Sequence, residues 1–86
     1  MNKKNKEMFF VVYIYDLKAP NKKIFNRTKR LFYYYLNKHT LNHDVWKTKS
    51  TLVVVPKYEK QLDQFFKMFK DKVVVYKLIT NSIEKL

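Results

Sequence analysis

Phe9-Phe10-Val11-Val12-Tyr13-Ile14-Tyr15-Asp16 is the stretch on which the fold turns. Seven apolar or aromatic residues follow one another and end on a carboxylate. A short unbroken run of β-branched and aromatic residues favours a strand buried on both faces. The strand is expected over residues 8–17, with Asp16 where the chain leaves the sheet. A carboxylate in that position is a helix cap, a turn former or a metal ligand, and the residues alone leave these open.

Working outward, the loop 18–21 contains Pro20, which suits the start of a helix. Residues 22–38 then show helical spacing: Ile24, Thr28, Leu31, Phe32, Tyr35 and Leu36 make the buried stripe. A polar connection at 39–44 leads to a weakly alternating strand at 45–49 and a second at 50–55, stopped by Pro56. The two are either one bent strand or a hairpin turning at 48–50. Residues 57–70 repeat the helical pattern with Tyr58, Leu62, Phe65, Phe66 and Phe69. A last strand is expected at 73–79, followed by a polar tail at 80–86 that includes Ile83 and Leu86.

The order β-α-β-β-α-β defines an α+β chain with the split βαβ arrangement of ferredoxin-like folds. Both helices cover one face of such a sheet. The strand runs alternate poorly, so the second face is apolar too, and 86 residues supply no third layer to cover it. Sheet-to-sheet homodimerisation is the expected solution, with the tail at that interface.

The whole chain is read as one domain, because a length of 86 residues leaves room for only a thin core. It has no cysteine, which excludes disulfides and thiolate metal sites and fits a reducing cytoplasm. It also lacks glycine, so glycine-rich phosphate loops are excluded, and any turn with positive φ must use Asn, Asp or Lys. No apolar run approaches the ~20 residues of a membrane span. No small-residue cleavage site follows the first apolar run, so a signal peptide is not expected.

Net charge is +12, with Lys outnumbering Arg 17 to 2. Polyanions are the natural partners of such a surface, nucleic acid first and an anionic membrane second. Residues 1–7 read as a basic arm. The exposed face of the first helix concentrates the charge, with Lys22, Lys23, Lys29 and Arg30 on it and Arg27 at its flank. Tyr33 and Tyr34 are interleaved with these cations, a composition that suits phosphate contact with aromatic stacking. A merely solvated helix face is the plain alternative. His39, His43 and Asp44 follow the helix in a loop, where an i, i+4 histidine pair makes a poor metal site. No serine has a histidine and an acid placed by a recognisable motif.

At this point the chain resembles a family, the small CRISPR-associated adaptation proteins, homodimers that pair with the adaptation integrase. Three segments carry the resemblance in order: Val11-Val12-Tyr13-Ile14-Tyr15-Asp16, Lys49-Ser50-Thr51-Leu52, and Val73-Val74-Val75-Tyr76-Lys77-Leu78. The resemblance covers roughly residues 9–80 in order and length. The resemblance implies a cytoplasmic dimer that bridges integrase subunits and holds duplex DNA during spacer acquisition. It also implies that Asp16 faces its symmetry mate and shares a magnesium ion with it, as the metal ligand of an endonuclease acting on DNA or RNA. Viral and toxin-like ferredoxin-fold proteins share this element order, which leaves a ribonuclease or a protein-interaction module as the alternative.

Overall fold

The computed structural model describes residues 9–40, 46–84 and 86. The expected basic arm, His43 and Asp44 lie outside them. Seven elements follow in order: β1 (Phe10–Leu17), α1 (Lys22–His39), β2 (Trp46–Lys47), β3 (Thr51–Val54), a 3₁₀ turn (Pro56–Tyr58), α2 (Glu59–Met68) and β4 (Val73–Thr80). They form an α+β architecture, compatible with a small ferredoxin-like fold. All strand neighbours are antiparallel in the order β2-β3-β1-β4, so β1 lies inside the sheet and β4 at its edge.

Local chemistry sets the boundaries. Asn21, in extended backbone, caps α1 by accepting from the Ile24 backbone N–H at 2.9 Å. The cap role considered for Asp16 therefore belongs to Asn21. At the other end Thr40 donates from Oγ1 to the Leu36 carbonyl at 2.8 Å, and Lys47 reaches both Asn37 and Thr40 from β2. The connection between β2 and β3 is a hairpin: Thr48 N–H donates to the Thr51 carbonyl at 2.8 Å. Pro56 cannot extend β3, and the chain winds into the 3₁₀ turn before α2 begins at Glu59, so this helix is shorter than its spacing predicts. No described residue has positive φ, so no turn among the described residues calls on Asn, Asp or Lys in the left-handed region.

Register fixes what each sheet face carries. Tyr13 pairs with Leu52 on one side and Lys77 on the other, and Ile14 pairs with Thr51 and Tyr76. Alternation then puts Val11, Tyr13 and Tyr15 under the helices. The core is aromatic: Phe32 of α1 packs against Tyr15, Phe65, Phe66 and Phe69, and Tyr13 stacks on Phe66 with ring centres 5.0 Å apart. The other face carries Phe10, Val12 and Ile14 of β1 beside Val74, Tyr76 and Leu78 of β4. Tyr76 is 67% exposed and Leu78 47%. The apolar second face expected from the sequence is present and uncovered in the single chain. The tail after β4 has no regular structure among its described residues, and Ile83 and Leu86 are exposed.

Candidate nucleic-acid interface

α1 carries six Lys and Arg side chains and no acid. Its buried stripe is Thr28, Phe32 and Leu36, which turns most of the charge outward. The helical period separates the expected contact residues into two groups. Lys29 and Tyr33 lean toward the hairpin and line an open cleft of about 680 Å³ with Asp16, Phe25, Lys49 and Ser50. Arg27 leans the other way, toward α2, and lines a groove with Leu31, Met68 and Lys72. Lys22, Lys23, Arg30 and Tyr34 are exposed on the same helix.

The two tyrosines differ in what their rings can meet. Tyr33 is half-buried, stands edge-on to Phe32, and donates its hydroxyl to the Lys49 carbonyl at 2.6 Å. It braces the hairpin against α1, where Lys49 and Lys29 line the same cleft. Burial, with the nearby Asp16 charge, raises the pKa of Tyr33, so the hydroxyl keeps the proton it donates. Tyr34 is exposed, with the Lys38 ammonium over its ring at 5.4 Å. Tyr35 packs against that ring at 5.0 Å, and of the two tyrosines Tyr34 is the one whose ring is open to solvent.

Lys49 is a cation the helix-face reading passed over. It was legible as part of Lys49-Ser50-Thr51-Leu52, but its place beside Lys29 depends on the fold of the hairpin.

Asp16 is exposed at the end of β1, on the outer face by register, paired with Val74. Among the described residues no three His, Cys, Asp or Glu side chains form a group that could hold a metal ion. Within one chain Asp16 is a single carboxylate in a cleft that two lysines also line. That donor set does not suit a divalent cation unless a second chain adds its own carboxylate.

The acids of α2 are engaged elsewhere. Lys77, in β4, reaches Glu59 at 2.7 Å and Asp63 at 2.9 Å, and Tyr13 donates its hydroxyl to Asp63 at 2.7 Å. Burial would push the Asp63 carboxyl up, but the hydrogen bonds from Tyr13 and Lys77 and the charges of Lys77 and Lys67 outweigh it and hold its pKa below the ordinary range. Hydrogen bonds to Glu59 and Asp63 raise the pKa of Lys77. Tyr13 is raised well beyond the ordinary tyrosine value, chiefly by burial and then by Asp63. His39 faces Gln61, with Nδ1 3.0 Å from its Nε2. No helix among the described residues is long and apolar enough to cross a membrane.

No family model, curated protein or solved structure matches this chain.

Proposed function

We propose that this chain is a ferredoxin-like homodimer that binds nucleic acid through α1 and pairs with itself through the uncovered face of its sheet. One observation carries the reading: the two faces divide the charge. α1 holds six cations and no acid, while both Lys residues placed in the sheet register, Lys47 and Lys77, lie on the helix side. A cation-free apolar sheet face suits a second copy, which brings the same +12 charge. A cation-rich helix face suits phosphate.

In the dimer the two α1 faces point away from the seam, which leaves both open to hold duplex DNA while the dimer bridges integrase subunits. Lys22, Lys23, Lys29, Arg30 and Arg27 neutralise phosphates and release counterions, and Tyr34 stacks at the edge. Such contacts position a duplex and read little sequence. This is the role of the CRISPR adaptation proteins the sequence resembles, with an integrase as the further partner and the cytoplasm as the compartment.

A second reading is a magnesium-dependent endonuclease. It is favoured by one placement: Asp16 is exposed at the end of β1, where the outer-face register meets the cleft between α1 and the hairpin. A seam that extends to this end of the sheet would bring two copies of Asp16 together. The shared ion would supply a Lewis acid at the phosphate, with Asp16 and its mate as the protein ligands.

The test is binding and cleavage measured together on short duplex DNA and on RNA, with Mg²⁺, with Mn²⁺ and with chelator. Expected for the bridge is steeply salt-dependent binding without cleavage, unchanged in Asp16→Ala. Reversing Lys29 and Arg30 to Glu lowers affinity at least tenfold and flattens the salt slope by about 1 for each phosphate left unneutralised. Metal-dependent cleavage that Asp16→Ala abolishes moves the endonuclease to the front. Absence of any binding at moderate salt overturns both readings and leaves the protein-interaction module.

A further inference from the structure

Leu31 has the spacing of a core residue, yet it is 49% exposed. Across from it on α2, Met68 is 69% exposed. The two belong to one groove between the helices, about 280 Å³, lined also by Tyr35 and floored by Phe69. Arg27 stands on the α1 side of this groove and Lys72 at the end beyond α2. No carboxylate lines it. The groove thus joins an apolar floor to a cationic rim.

Neither occupant already discussed suits it. Duplex backbone offers phosphate for Arg27 and Lys72 but nothing apolar for Leu31 and Met68. A second copy offers apolar side chains, but here it would bring like charge against like. Both requirements are met by a protein segment that carries carboxylates around an apolar anchor.

We propose that the α1–α2 groove is a docking site for an acidic protein segment whose apolar side chain inserts between Leu31 and Met68. The carboxylates of that segment pair with Arg27 and Lys72. The unbranched thioether of Met68 adapts to the shape of the inserted group. The site does not depend on the nucleic-acid reading. It shares Arg27 with that face, so a protein partner bound here would take Arg27 from the nucleic acid and leave it Lys22, Lys29 and Lys49.

The probe is a labelled twelve-residue peptide of Asp, Glu and Ser with one central Leu, compared with the same peptide carrying Ser at the centre. The full chain, labelled at its Met methyls, is titrated with each. Expected is at least tenfold tighter binding of the Leu peptide, with the Met68 methyl signal shifting on titration. Leu31→Ser and Met68→Ser, both at exposed positions that leave the core intact, bring the Leu peptide down to the affinity of the Ser peptide. Equal affinity of the two peptides overturns the proposal, as does an unmoved Met68 signal. A shift of Met68 on adding duplex DNA, larger than with the Leu peptide, assigns the groove to nucleic acid instead.

Discussion

The two faces of this molecule are built from similar apolar strands and end in opposite surfaces. On the helix side each strand residue meets a partner: Tyr13 finds Asp63, Lys77 finds Glu59 and Asp63, and Lys47 finds Asn37 and Thr40. On the other side Ile14, Tyr76 and Leu78 stay exposed in the single chain. The cations follow the same division. Where the chain must stay wet, α1 presents Lys and Arg. Where it excludes them, the sheet presents Val, Ile, Leu and Tyr. The lesson is that surface chemistry is separated by layer, with exposed apolar side chains on one side of the sheet and the cations of α1 on the other.

The contrast breaks most directly at the sheet. Tyr76→Asp with Leu78→Asp should convert a dimer to a monomer, read by analytical ultracentrifugation. Each of these side chains is worth about 1.5–3 kcal/mol when fully buried, so the dissociation constant should rise by roughly a hundredfold or more. A double variant that still sediments as a dimer rules out the sheet face as the seam.

A smaller effect is expected on the helix side, where the polar cluster is already complete. Asp63→Ala removes the acceptor of the Tyr13 hydroxyl and one partner of Lys77. The cost should be about 1.5–3 kcal/mol, the range for hydrogen bonds to a charged group, measured by urea unfolding. The pH profile sharpens this. The Asp63 pKa is lowered on folding, so its contribution is present above the ordinary value of 3.8 and fades as pH falls through the folded value. The Lys77 pKa is raised, so its contribution is complete below 10.5 and fades as pH rises through its own folded value. The wild type should lose this increment at the acid and alkaline ends, and Asp63→Ala should show a flatter profile. Superimposable profiles would show that the cluster adds nothing to stability.

The smallest effect has the most informative sign. Lys22 and Lys23 occupy the first turn of α1, where the helix dipole is positive and no acid is present. Lys22→Glu should raise stability by about 0.3–1 kcal/mol and weaken nucleic-acid binding in the same protein. A variant that gains stability and keeps its affinity would detach Lys22 from the interface.

Element order was legible because each segment carries its own period. The strand run at β1, the aromatic stripe of α2 and the stop at Pro56 all depend on neighbours in sequence. What escaped depends on the third dimension. Leu31 has the spacing of a core residue, but it borders the open groove between α1 and α2 and stays half exposed. Tyr33 reads as an exposed ring until the hairpin places the Lys49 carbonyl against its hydroxyl. Lys77 looks misplaced in an apolar strand until Glu59 and Asp63, one helical turn apart, are brought over it. Asn21 was readable as a cap three residues ahead of Ile24, yet Asp16 competed for that role at the end of a conspicuous strand.

The position of β1 between β3 and β4 has a kinetic consequence. Tyr13 must find Leu52 and Lys77, both far along the chain, before its strand is satisfied on either side. Closing such long loops is slow compared with winding a helix. During synthesis the most apolar strand emerges first and waits for partners that do not yet exist. The run Phe10–Leu17 is then the segment through which crowded nascent chains would associate before β3 and β4 are made.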